Sequence, residues 1–440
     1  MNQLLKLKQA IQLDNGKTCV VKEFLGSGGQ GEVYRAESEG QSMALKWYFP
    51  QQATAEQRAA LQELLAVGAP NTNFLFPLHL ASSTEKAGFG YAMSIRQSNY
   101  KNISDLMKRR IEPSFRQLLI ATIQLADSFQ LLHAKGLCYR DISFGNFFID
   151  PNTGDILICD NDNVTVNGSQ NTGVVGTPRF MSPEIVRREN NPNSDSDLFS
   201  LAVLLFYMLM LHHPLEGKKE ADMKCFDLPA MNKLYGFEPL FIFDPNDKSN
   251  YPVKNYQDNA LIYWAIYPTF IRDLFTQSFT AGLSDVHSRI RESEWRRQLL
   301  RLKDTIVDCG CGAENFYDED ELKASGHLKP CWSCQKTLIL PPRIRIKQNT
   351  GQELTVMLNN KAELYPYHLH PARKNDITPA VAQVVQHPTN PNIWGLKNLT
   401  TEAWTFTDNS VLKTVEQGKS VTLATGITIN FGQAQAEIRI

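Results

Sequence analysis

Between residues 18 and 95, short β-branched and apolar runs alternate with turn residues, a pattern broken once by Ala53 to Val67, where apolar positions recur at helical spacing. This predicts a small lobe that is mostly sheet with one helix. From Ser114 the period changes: Phe115–Ala134, Asp197–Leu211, Tyr267–Thr280 and Glu292–Val307 repeat apolar positions every three to four residues, predicting a larger helical lobe. The run Leu198 to Leu211 is the longest apolar stretch. It is shorter than the roughly 20 residues a bilayer needs and predicts a buried helix. Beyond Val307 come a cysteine-rich stretch, the stiff break Leu340-Pro341-Pro342, and strand-length alternation such as Arg343 to Lys347 and Ser420 to Leu423. The expected organisation is an extension over residues 1–17, a sheet lobe over 18–96 and a helical lobe over 97–305, then a cysteine module over 306–340 and an all-β domain over 341–440.

A chain of 440 residues suits a core of about 250 to 300 residues plus smaller domains. The formal charge of -1 argues against a polyanion-binding surface, so no nucleic-acid partner is expected, and Lys108-Arg109-Arg110 reads as a solvated helix end. Met1 to Lys6 lacks a basic start followed by an apolar run and a small-residue cleavage site. Cys19, Cys138, Cys159 and Cys225 are scattered, whereas Cys309, Cys311, Cys331 and Cys334 cluster. A cytoplasmic protein without a membrane span and with one metal site is the expectation.

The chemistry begins at Gly26, Gly28 and Gly31, which lie between two expected strands. Without Cβ atoms there, a hairpin can bring its backbone N–H groups onto a triphosphate. A dinucleotide loop would lead directly into a helix, but here Val33-Tyr34-Arg35-Ala36 continues as strand. Lys46 follows in Met43-Ala44-Leu45-Lys46, where a cation on a partly apolar strand needs phosphate or carboxylate. Its partner is expected on the intervening helix, at Glu63 in preference to Glu56. Further on stand Tyr139-Arg140-Asp141-Ile142-Ser143-Phe144-Gly145-Asn146 and then Asp160. Asp141 is the candidate base for a hydroxyl proton, and Asn146 and Asp160 are the candidate ligands of Mg²⁺ or Mn²⁺.

In this order the motifs resemble those of protein kinases, which implies an α+β, bilobal fold and transfer of the γ-phosphoryl group of ATP. The resemblance implies an ATP site drawn from Leu25, Gly26, Ser27, Gly28, Gly29, Gly31, Val33, Ala44, Lys46, Glu63 and Met93. Gly176 to Glu184 resembles the end of an activation segment, with Thr177 in it, and Asp197 to Ala202 resembles the start of the buried helix under the catalytic loop. Arg289 falls where the family places the ion-pair partner of Glu184. Four positions depart from the pattern. Ser143 replaces the usual Lys, so a metal ion or a substrate side chain must supply that charge if the rate is to be kept. Asn161-Asp162 replaces Phe-Gly, leaving Asp162 as a further metal ligand or a turn residue, and Tyr139 replaces the common His.

Cys309-Gly310-Cys311 and Cys331-Trp332-Ser333-Cys334 offer two close thiolate pairs, which suit a structural zinc ribbon; disulfides or four structural cysteines are the alternatives. His327 reads as a loop residue. Trp394 to Leu399, Gly418 to Leu423 and Gly426 to Gly432 resemble the second half of a forkhead-associated β-sandwich, although the Gly-Arg and Ser-x-x-His phosphate-reading signatures are missing. Tyr365-Pro366-Tyr367-His368-Leu369-His370 reads as a packed loop at a sandwich edge. Taken together, the order of domains and the insert Tyr235 to Pro245 resemble the bacterial, eukaryotic-like Ser/Thr kinase of the tellurite-resistance-associated phosphorylation triad. That resemblance implies as partners a protein substrate, a von Willebrand A-type protein and a metal-dependent Ser/Thr phosphatase. An active kinase and a pseudokinase scaffold both remain open here, and labelled ATP separates them.

Overall fold

The computed structural model describes residues 3–168, 176–374, 376–408 and 410–440, and divides into two compact units. The first holds residues 1–265 and 270–299, the second residues 266–269 and 300–440. The boundary therefore falls before the expected one at residue 305, and a short piece of the expected helical lobe belongs to the second unit.

In the first unit, six strands close into a barrel: β1 (Ala10–Leu13), β2 (Thr18–Ser27), β3 (Gly31–Ser38), β4 (Gln41–Tyr48), β5 (Pro77–Ser82) and β6 (Phe89–Met93), in the order β1-β2-β3-β4-β6-β5. The expected extension over 1–17 is thus part of the sheet. β1 pairs with both β2 and β5, Leu5 is fully buried, and the Leu5 backbone N–H donates to the Tyr34 hydroxyl at 2.9 Å. Alternation along the strands separates two apolar layers. Ile11, Val21, Tyr34, Leu45 and Trp47 fill one, while Ala44, Tyr48, Tyr91 and Met93 join Leu61 of helix α1 (Ala55–Val67) in the other. Thr54 caps α1 by accepting from the Gln57 N–H, which sets its start two residues after Ala53.

The helical part is built on α2 (Phe115–Ala134) and α3 (Ser194–Met210). Capping boxes at Ser114 with Gln117 and at Asn193 with Ser196 fix their starts. Residues 196–210 of α3 are all buried, as the mostly apolar run from Leu198 predicts. Among the described residues no helix is long and apolar enough to cross a membrane.

At the base of this lobe, His133 at the end of α2 lies between two carboxylates. Its Nε2 is 3.2 Å from Asp197 Oδ2, and its Nδ1 contacts Glu292, the first residue of α4 (Glu292–Asp304). Glu184 and Arg289 form the expected ion pair, with guanidinium nitrogens at 2.9 and 2.8 Å from the two carboxylate oxygens.

In the second unit, the chain after α4 does not continue as helix to Val307. Ile306–Asp308 forms a hairpin with Glu314–Phe316 instead. The last hundred residues form a six-stranded and a four-stranded sheet, both antiparallel. Ile344, Ile346 and Ile438 from one and Leu364, Val384 and Leu396 from the other share one core, so the tail is a sandwich. The loop around Tyr367 packs as expected. His368 is fully buried, its Nδ1 accepts from the Tyr365 N–H, and its Nε2 therefore carries the proton it shares with Asp304 at 3.0 Å.

Burial alone would push the His133 imidazole down, but Asp197 and Glu292 outweigh it and raise it to about 9. A group raised from 6.5 to about 9 contributes stability fully present below pH 6.5 and lost as pH rises through about 9, here about 3 kcal/mol. Urea unfolding at about pH 6 and pH 9.5 should show that loss, and His133→Gln should remove this part of the pH dependence. An equal pH slope in both proteins would contradict it.

Candidate active site

The strand register brings the upper half of the site together. In antiparallel sheet, directly paired residues share a face, and Lys46 pairs with Val33 on β3 and Tyr91 on β6 while Ala44 pairs with Met93. Tyr48, two residues beyond Lys46, lies on the same face. Four of the residues expected at the nucleotide, Val33, Ala44, Lys46 and Met93, therefore line one surface, with Leu157 and Cys159 packed against it. Leu25 stands exposed at its rim.

The glycine-rich hairpin closes tightly, the Gly28 N–H donating to the Gly31 carbonyl at 2.9 Å. A Cβ on Gly31 would come within 2.2 Å of the Trp47 carbonyl oxygen, so close strand pairing requires this glycine. A Cβ on Gly26, Gly28 or Gly29 would meet nothing within 4 Å, so space at those three positions is left for a ligand. Gln30, at the loop tip beyond Ser27, reaches inward. Its Oε1 accepts from Lys46 Nζ at 3.0 Å and its Nε2 donates to Asn163 Oδ1 at 2.8 Å.

Lys46 is buried, and its ammonium donates to both oxygens of Asp162 at 2.9 and 2.8 Å, with Asp160 Oδ1 at 3.6 Å. The Tyr48 and Tyr91 hydroxyls also donate to Asp162, at 2.7 and 3.1 Å. Two sequence expectations are corrected here. Glu63, expected as the partner of Lys46, is exposed on α1, as is Glu56, and the helix instead sends Gln57 Nε2 to the Tyr48 hydroxyl at 3.2 Å. Asp162 lies in a turn, Asn161–Asn163, but is more than a turn residue, and its oxygens are taken by these four bonds, so it is not an available metal ligand. Burial tends to lower the Lys46 pKa, but Asp162 and Asp160 outweigh it and raise it, so the cation is retained.

The lower half hangs on Asp197 of α3. Its carboxylate accepts the backbone N–H of Tyr139 at 2.5 Å and of Arg140 at 3.0 Å, fixing the segment that carries Asp141. The Tyr139 hydroxyl, where a His is usual, donates to the Cys159 carbonyl and ties this loop to the strand before Asp160. Asn146 donates from Nδ2 to the Asp141 carbonyl at 2.8 Å and to its Oδ2 at 3.4 Å, while its own carbonyl accepts the Cys159 N–H at 2.8 Å. The other Asp141 oxygen, Oδ1, accepts the Thr177 hydroxyl proton at 2.9 Å. Thr172, a candidate for modification alongside Thr177, lies outside the described residues.

Asp160 sits in the left-handed region at φ 49°. Burial pushes its carboxyl above the usual range, Lys46 opposes this, and Asp162 and Asp141 add to it. A cleft in which carboxylates crowd one another beside an amide oxygen is chemically suited to a divalent cation held by Asp160 and Asn146.

In the second unit, Cys309 and Cys334 Sγ lie 3.7 Å apart, as do Cys311 and Cys331 Sγ, and all four sulfurs fall within 4.8 Å of one another. All four cysteines are free of disulfides. Sulfurs about 2.3 Å from a central ion at tetrahedral angles would be about 3.8 Å apart, so both 3.7 Å pairs match that spacing and the four lie close enough together to share one ion. Asn315 Nδ2 lies 3.5 Å from Cys331 Sγ. Burial would raise the Cys331 thiol, but the backbone N–H groups of Cys334 and Ser333 and the Asn315 amide bring it down to about 6. His327 is exposed, 2.8 Å from the Ser325 carbonyl, as a loop residue.

A family model of the protein kinase domain matches residues 19–266, more than half of the chain, and the chain belongs to that family. It is 26% identical over 213 residues to CBL-interacting protein kinase 4 of Oryza sativa subsp. japonica, covering 46% of each chain. It is 29% identical over 216 residues to Protein kinase C of Drosophila melanogaster, covering 46% of this chain and 28% of that one. With the Raf homolog serine/threonine-protein kinase of Caenorhabditis elegans the identity is 24% over 255 residues, covering 52% of this chain and 31% of the relative. The chain thus spans less than half the length of each of these relatives.

The sulfur cluster yields a direct expectation. Purified protein should contain about one metal ion per chain by elemental analysis, and Cys331→Ser should lose it while the first unit still melts cooperatively. Metal-free wild-type protein with an intact hairpin would contradict this.

Proposed function

We propose that this chain is a protein serine/threonine kinase that uses MgATP to phosphorylate hydroxyls of a protein partner and of itself. The observation that carries the reading is the Thr177 hydroxyl donating to Asp141 at 2.9 Å, which puts an alcohol of the accepting class on the expected base. Asp141 would take the proton from the acceptor hydroxyl. Asn146 and Asp160 would hold Mg²⁺ or Mn²⁺, and Lys46 with the hairpin N–H groups would hold the phosphates. MgATP, when bound, supplies the transferable group; the chain supplies position, charge and a proton acceptor.

The second reading, a pseudokinase scaffold, draws on Ser143, which leaves the loop without the usual lysine. The intact set of Lys46, Asp141, Asn146 and Asp160 favours catalysis over it. We further propose that the four cysteines hold structural zinc, and that ribbon and sandwich place the protein partner. The resemblance to the tellurite-resistance-associated triad supports a von Willebrand A-type protein and a metal-dependent phosphatase as partners in a bacterial stress response. The forkhead-like sandwich lacks the phosphate-reading signatures, so it would serve as a docking or structural module.

Incubation of the purified chain with labelled ATP tests the reading. Asp141→Ala should lower transfer by roughly 10² to 10⁴ while nucleotide still binds, and Asp160→Ala should change the metal dependence itself. Autophosphorylation unchanged in Asp141→Ala would sink the assignment.

A further inference from the structure

The partner of Lys46 comes from an unexpected place, and this has consequences for how the site is held. Strand pairing puts Lys46, Tyr48 and Tyr91 on one face of the sheet, and all three converge on the carboxylate of Asp162. The Asp162 side chain is 0% exposed and that of Lys46 5%, so the pair is screened from water and each group depends on the other for compensation. Asp162 lies two residues after Asp160, in the short turn Asn161–Asn163, and Gln30 couples Asn163 to Lys46 from above. Helix α1 sends no carboxylate to this network, since Glu56 and Glu63 are exposed and its one link is Gln57, through the Tyr48 hydroxyl.

We propose that Asp162 is the positioning residue for Lys46, so that the phosphate-binding cation is set by the turn after Asp160 and two tyrosines, with no carboxylate supplied by helix α1. This deepens the kinase reading and rests on it for the ligand of Lys46. An ammonium has three N–H donors. The two Asp162 oxygens and Gln30 Oε1 accept all three here, and Asp160 at 3.6 Å marks the side where phosphate and metal would meet, so a phosphate oxygen would take over the Gln30 bond and leave the Asp162 pair in place. A lysine held in this way has no carboxylate of α1 to lose when that helix moves. Displacement of that helix would therefore not switch this site off by drawing a carboxylate away.

The test measures MgADP binding to the full chain by calorimetry, and the KM for ATP and kcat in the transfer assay. Asp162→Asn keeps the shape and removes the charge; it should weaken MgADP binding by about tenfold or more and raise KM more than it lowers kcat. The exposed pair Glu56→Gln with Glu63→Gln should leave both within about twofold. Should Asp162→Asn fail to fold, Tyr48→Phe with Tyr91→Phe removes two bonds that orient the carboxylate and should weaken binding by about three- to tenfold. Binding unchanged or tightened in Asp162→Asn, binding unchanged in the double tyrosine variant, or a tenfold loss in the double glutamate variant would overturn the proposal. MgADP binding that depends on Asp162 in a chain without transfer would sink the kinase reading and leave the anchor standing. Transfer with binding indifferent to Asp162 would do the reverse.

Discussion

The lower half of the site depends on one buried carboxylate. Asp197, 1% exposed at the start of a mostly apolar helix, accepts two consecutive backbone N–H groups of the catalytic loop and faces His133. A lone carboxylate there would be costly to bury, and a loop with Arg140 at φ 74° would not hold that shape unaided. Each compensates the other. The helix fixes the carboxylate, the carboxylate fixes the loop, and His133 carries the balancing charge on to Glu292. Asp141, Asn146 and, through the Cys159 N–H, the strand before Asp160 are positioned by that one attachment.

The upper half follows a different rule, that of alternation. Once β3, β4 and β6 pair in their observed register, every second residue faces the cleft, and Val33, Ala44, Lys46, Tyr48, Tyr91 and Met93 are placed with no loop involved. The two halves meet at residues 160–163. Asp160 faces the cleft and Asp162 turns back under Lys46, a division made possible by the left-handed backbone at Asp160.

Much of this was legible from local pattern. The period change at Ser114, the catalytic loop and the Glu184–Arg289 pair lie where their residues put them, because each rests on short-range chemistry or on a motif of fixed spacing. The extension over 1–17 was not, because Leu5 and β1 gain their burial from strands far along the chain and carry little periodicity of their own. Glu63 was misread for a related reason. Helical spacing says which residues share a face, not which face turns inward, and Leu61 and Leu64 took the inner one.

Asp162 shows where sequence reasoning had a signal and did not use it. Tyr48 two residues after Lys46 already placed a hydroxyl on the cation's face, and an unexplained carboxylate stood beside Asp160. A buried ammonium requires a counter-charge whether or not a nucleotide is present, so the acid least accounted for was the one to pair with it. In the tail, alternation revealed strands but no chemistry, since a sandwich core uses the same residues whatever its loops bind. The cysteine cluster lies between these cases. Four thiols at metal-ligand spacing point to a metal site from the sequence alone, and the 3.7 Å within each sulfur pair adds that the chain brings them together.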